Sequence, residues 1–109
     1  MKRLTIFIND LAVYEYDRDT ALDEWQQAFL EKMDSDMGRG FTIQGELIAH
    51  PDSQQRARFV VMNLIKALQQ ENEAAISVSC AYLSTRLPGL VEVHANDHEG
   101  TVKIELLEE

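Results

Sequence analysis

Asn72-Glu73-Ala74-Ala75-Ile76-Ser77-Val78-Ser79-Cys80-Ala81-Tyr82-Leu83-Ser84-Thr85-Arg86-Leu87 fits two periodicities at once. Ile76, Val78, Cys80 and Tyr82 alternate with Ser77, Ser79 and Ala81, as in a strand with one buried face. Ile76, Cys80, Leu83 and Leu87 also recur at helical spacing. Which pattern holds decides whether the middle of the chain is helical throughout. Asn72 can cap a helix, Pro88-Gly89 would end one, and the stretch is far longer than an average strand of about 5–6 residues. These features favour a helix.

Upstream, Pro51-Asp52-Ser53-Gln54-Gln55 is a strong helix start, with Asp52 as cap and Gln55 placed to reach back in a capping box. Ala57, Val61, Leu64, Ile65 and Leu68 form its inner stripe. Phe59 and Met62 fall on the opposite side, beside Lys66, so this helix is apolar almost all round. Either it is the central helix, covered on both sides, or Phe59, Met62 and Lys66 form a patch for a partner, to which Trp25 and Tyr82 would add, since aromatic and Met residues are enriched at such surfaces. Glu71-Asn72-Glu73 breaks the apolar pattern and marks a corner. Before Asp52, Phe41-Thr42-Ile43 suggests a short strand. An earlier helix runs from a Thr20 cap, with Asp23 at the third position, to Gly38. Its predicted inner stripe is Leu22, Trp25, Phe29, Met33 and Met37.

Both ends alternate as hairpins do. Leu4, Ile6 and Ile8 face Leu11 and Val13 across Asn9-Asp10, two residues that tolerate left-handed turn conformations. That register pairs Ile8 with Leu11 and Ile6 with Val13, and puts Thr5 opposite Tyr14 on the other face. Tyr14, Tyr16 and Phe7 would then share an outer sheet face and need a cover, which a symmetric dimer would supply. At the far end Val93 pairs with Val102, Val91 with Ile104 and Glu92 with Lys103, around a turn of Asn96 to Gly100. The expected fold is one α+β domain over residues 1–109. It has an N-terminal β-hairpin, two to three helices and a C-terminal β-hairpin, with a two-layer antiparallel sheet packed on helices.

Charge is segregated along the chain. Of nineteen carboxylates, only Glu71 and Glu73 lie between Ser53 and Val91, against Arg56, Arg58, Lys66 and Arg86, for a net +2. Met1–Asp52 nets −6 and Glu92–Glu109 nets −5, within a total of −9. Unpaired charge avoids interiors, so the carboxylate-poor middle should lie deepest. A total of −9 argues against nucleic acid and anionic membrane as direct partners, because phosphate binding needs clustered Lys and Arg. No apolar run approaches the ~20 residues of a membrane span. Cys80 is the only cysteine. An intramolecular disulfide is therefore excluded, and a cytoplasmic location is expected.

No motif specifies an enzyme, a cofactor or a metal. Met33-Asp34-Ser35-Asp36-Met37-Gly38 resembles the start of a calcium loop. However, its sixth position is Arg39 rather than glycine, and its twelfth is Gly45 rather than a bidentate Glu. Asp34 and Asp36 are expected as a solvated helix end. His94, Asp97, His98 and Glu99 are the densest set of metal-ligand types. A spacing of four brings side chains together on a helix, not on a hairpin. Gly38-Arg39-Gly40 lacks the third glycine of a phosphate-binding turn. Cys80 has no neighbouring cation or base to activate it.

The favoured expectation is a small soluble acidic interaction or accessory module without catalytic activity. It would bind a protein partner or itself, with a homodimer as the self-associated form, through Phe59, Met62 and Lys66. One alternative is an enzyme or small-ligand binder whose site gathers dispersed residues: Arg39, His50, Arg56, Arg58 and Cys80. Another is an acidic mimic of nucleic acid, with carboxylates along one face.

Overall fold

The ambiguous segment is a helix. A computed structural model describes residues 3–108, apart from the His98 side chain. Nine elements follow in order: β1 (Arg3–Ile8), β2 (Leu11–Asp17), α1 (Glu24–Met37), β3 (Phe41–Ile43), β4 (Glu46–Ile48), α2 (Ser53–Gln69), α3 (Glu73–Arg86), β5 (Leu90–His98) and β6 (Thr101–Glu108). Asn72 caps α3 by accepting from the Ala75 amide at 3.2 Å. Ile76 and every residue from Val78 to Leu83 are buried. A helix covered on all sides needs no polar face, which is why apolar residues beyond its helical stripe also mimic strand alternation. The central role expected of α2 therefore belongs to α3, which packs against α2 and α1.

The capping box of α2 forms as expected. Asp52 accepts from the Gln55 amide at 2.8 Å, and Gln55 accepts from the Asp52 amide at 2.9 Å. The buried face of α2 is Ala57, Val60, Val61, Leu64 and Ala67. The cap of α1 is Asp23 rather than Thr20. It too forms a full box with Gln26, because glutamine can return the bond from the third position.

Four strands form one sheet in the order β2-β1-β5-β6. The sheet is mixed, not antiparallel: β1 and β5 run parallel, with Ile6 beside Val93 and Ile8 beside Ala95. The two terminal hairpins thus lie side by side, joined through their inner strands. The helical middle supplies the long crossover that a parallel pair requires. Phe41–Ile43 is a strand as expected. It pairs with β4, a strand not anticipated, in a separate two-stranded sheet.

Both hairpin registers differ from expectation. Asn9 and Asp10 do form a two-residue turn, with φ of 51° and 67°, and Ile8 pairs with Leu11. A bulge then intervenes, so that Ile6 faces Tyr14 and Leu4 faces Tyr16. Tyr14 and Tyr16 therefore point to the inner face, where Tyr16 is buried and Tyr14 packs on the core. Burying two aromatic rings outweighs keeping the ladder regular. The outer face retains Phe7 alone of the three aromatics, so the expected need for a covering subunit there disappears. In the second hairpin the turn is Glu99-Gly100, with φ of 49° and 81°, rather than a five-residue loop. Val93 consequently pairs with Leu106, Ala95 with Ile104 and Asn96 with Lys103. The core is one cluster drawn from the four-stranded sheet and all three helices. Among the described residues no helix is long and apolar enough to cross a membrane.

Candidate functional site

The buried side of α1 is not the stripe that its aromatics suggest. Leu30 and Met37 are buried, whereas Trp25 is 61% and Phe29 39% exposed. Gln26, Leu30, Met33 and Met37 make a competing stripe one residue round the helix, and it is this stripe that docks. Trp25 and Phe29 are left on the flank, with ring centroids 5.7 Å apart. They wall a groove of about 550 Å³ between α1, α2 and the start of α3. Phe59 of α2 forms part of its lining, together with Ala75 and Val78 of α3. Phe59 is held in place by stacking on Phe41 of β3 at 4.3 Å between centroids. Polar groups are few: Asp36, Asn63, Asn72 and Ser79 line the groove, and among the described residues no Lys or Arg does.

Of the residues expected as a partner patch, Phe59 is half-buried and lines this groove. Met62 is half-buried against the core, and Lys66 is exposed outside the lining. The inner stripe expected of α1 holds Trp25 and Phe29; Trp25 is also weighed as an addition to the patch, but Phe29 as part of the opposite wall is missed. The competing stripe through Leu30 was the signal that could have found it.

A second constellation ties the three helices together. The Asp34 carboxylate of α1 accepts from the Tyr82 hydroxyl of α3 at 2.5 Å and from Arg86 Nε at 2.8 Å. Arg56 Nη1 of α2 stands 3.4 Å from Asp34 Oδ1, and Arg56 Nε donates to the Pro51 carbonyl at 3.3 Å. The Arg86 guanidinium also lies over the Tyr82 ring, 5.6 Å from its centroid. Partial burial would raise the Asp34 carboxyl, but the Tyr82 hydroxyl, Arg86 and Arg56 outweigh it and hold the group below the usual carboxylate range. Tyr82 is pushed up to about 12, by burial first and then by the adjacent Asp34 carboxylate. Asp34 is thus an ion-paired node rather than the solvated helix end expected, while Asp36 is exposed. With Asp34 and Asp52 balancing Arg56 and Arg86 around this cleft, it has no net charge to offer a ligand.

The dispersed residues considered for an enzyme do not converge. Arg56 sits in the Asp34 cleft, and Arg58 lines a different one beside β6. Cys80 is fully buried, its thiol pushed up to about 12 by that burial. Arg39 and His50 are exposed. Gly40 has φ +92°, and a Cβ there would lie 2.8 Å from the Ile48 carbonyl, so this glycine serves the close passage of β4. His94 stacks on Phe7, with centroids 4.4 Å apart and planes within 3°. Its Nε2 lies 2.8 Å from Glu92 Oε1. Asp97 and Glu99 are exposed near the hairpin turn, and the His98 side chain lies outside the described residues.

Comparison of the chain with protein-family models, with curated proteins and with solved structures returned no match in any of the three.

Proposed function

We propose that this chain is a non-catalytic interaction module, and that its docking surface is the groove walled by Trp25, Phe29 and Phe59. The occupant that fits best is a cationic amphipathic helix of a partner protein. Trp25 carries this reading: a large aromatic left 61% exposed beside a second aromatic and an apolar trough. Tryptophan of this kind is enriched where partners bind. The groove follows α1 from Trp25 to Met37, which at 1.5 Å per residue is roughly 18 Å, about three turns of a partner helix. The charge is complementary to a cation. Asp36 is the one charged residue of the lining among the described residues, Glu73 stands between the lining residues Asn72 and Ala74, and the whole chain carries −9.

Trp25 is the only tryptophan, so its fluorescence reports on the groove directly. The probes are two synthetic 14-residue helices with leucine at positions i, i+3, i+4 and i+7, one bearing lysine and the other glutamate elsewhere. The lysine helix should shift Trp25 emission to the blue in a saturable manner, and Phe29→Ser should weaken that binding about fivefold or more. If neither helix perturbs Trp25, the docking role is wrong. If both bind equally, the electrostatic part is wrong.

A further inference from the structure

The sheet has two edge strands, and they are guarded differently. The β2 edge carries the bulge opposite Ile6 and Phe7 and the acidic residues Glu15 and Asp17, both unfavourable to strand addition. The β6 edge is regular from Thr101 to Leu107. Its two-residue turn pairs His98 with Thr101, so Thr101 points its backbone groups towards β5 and Val102 points its own away. The same alternation leaves the amides and carbonyls of Ile104 and Leu106 facing outward. Among the described residues, Val102 alone of these three is served from outside the sheet. The Gln44 side chain, at the tip of the β3–β4 hairpin, donates to the Val102 carbonyl at 2.9 Å and accepts from the Val102 amide at 2.8 Å. One glutamine amide thus reproduces both bonds that an added strand would make at that position.

We infer that Gln44 is a guard against self-association, and that the surface it closes is an edge-to-edge interface between β6 of two copies of this chain. Among the described residues the charge pattern of β6 singles out one register. A two-fold axis at Ile104 places Lys103 opposite Glu105 of the second copy, and Glu105 opposite its Lys103. On the inner face it places Val102 opposite Leu106. Opposite charges directly across a strand pair are stabilising. An axis at Glu105 sets the two Glu105 carboxylates against each other, which is destabilising. An axis at Leu106 faces Glu105 with Leu107 and leaves that carboxylate without a cation opposite it. The charge-matched register needs the outward bonds of Val102, and Gln44 occupies them. Gln44 is exposed and has φ +47° within its turn, so its replacement leaves the core untouched.

The test is the mass of Gln44→Ala against the wild-type chain by sedimentation equilibrium up to millimolar concentration, with circular dichroism to confirm an unchanged fold. Gln44→Ala should associate at least about tenfold more tightly than the wild type, doubling its mass. Adding Lys103→Glu should abolish the gain, and adding Glu105→Lys to that double variant should restore it. The inference is overturned if Gln44→Ala keeps the wild-type mass at every concentration. It is also overturned if the gain ignores the charge at position 103, or if the wild type already forms a dimer that Lys103→Glu dissociates.

Discussion

Asp34 shows how much one side chain can organise when three helices converge on it. Replacing it with alanine leaves the Tyr82 hydroxyl, on a ring that is almost fully buried, without its acceptor, and two guanidiniums without their counter-ion. Asp34→Ala should therefore cost about 2–3 kcal/mol in urea unfolding, and Tyr82→Phe about 1 kcal/mol. The double variant should cost less than the sum, because the two share a bond. The pH dependence has a definite sign at each end. The Asp34 carboxyl lies lower in the folded chain than in the unfolded one, so its contribution is complete above about pH 3.8 and is lost as pH falls below that value. Tyr82 is raised from 10.0 to about 12, so its contribution is complete below pH 10 and is lost as pH rises from there to 12. Absorbance titration at 295 nm should show Tyr14, Tyr16 and Tyr82 all ionising above 10, and together near 10 once the chain is unfolded. Cys80 should ignore a thiol reagent at pH 8 in the native protein and react fully in guanidinium. None of this node was legible in the sequence. Asp34, Arg56, Tyr82 and Arg86 are brought together by helix packing, and nothing in the local pattern around Asp34 distinguishes it from Asp36.

At the scale of elements, what the sequence revealed depended on whether the decisive forces were local. The Asp52–Gln55 box is a contact within four residues, and it formed as expected; Asp52→Ala should cost about 1 kcal/mol in the same assay. The Asn9-Asp10 turn was equally legible. The bulge two residues beyond it was not, because a bulge has no residue signature and is decided by what lies beneath the strand. Here that is the inner-face demand for Tyr14 and Tyr16. Two single deletions separate these causes. Deleting Val13 should convert the bulge to a regular ladder and leave both tyrosines inside, with little loss of stability. Deleting Glu15 forces either Tyr14 or Tyr16 to the outer face and should cost at least about 2 kcal/mol, read from urea midpoints and from the near-ultraviolet dichroism of the tyrosines. The α1 aromatics misled for a related reason. Trp25 and Phe29 fit a helical stripe as well as Leu30 does, and only the position of α3 decides which stripe docks.

For the molecule as a whole, the segregation of charge describes depth. The +2 stretch from Ser53 to Val91 contains α2 and the all-round-buried α3, while the acidic flanks form α1 and the hairpins, which have outer faces. Those flanks repel one another. Raising NaCl from 20 to 200 mM should therefore lift the thermal midpoint by about 2–5 °C, through screening. The overall class, helices between two sheet hairpins, could be read from periodicity alone. The parallel joining of the hairpins could not, because no local pattern records which strands become neighbours. That joining has a kinetic consequence. Thr5 lies beside Glu92, so the pairing that unites the sheet closes a loop of more than eighty residues. Each hairpin can assemble by itself within microseconds, but the β1–β5 seam must wait for the whole helical middle to be laid down. On a ribosome, the first hairpin would be finished long before its neighbour emerged, with the inner edge of β1 unpaired in the interval. The exposed backbone of Thr5 and Phe7 during that wait, rather than any surface of the finished protein, is where this chain is most open to misassembly.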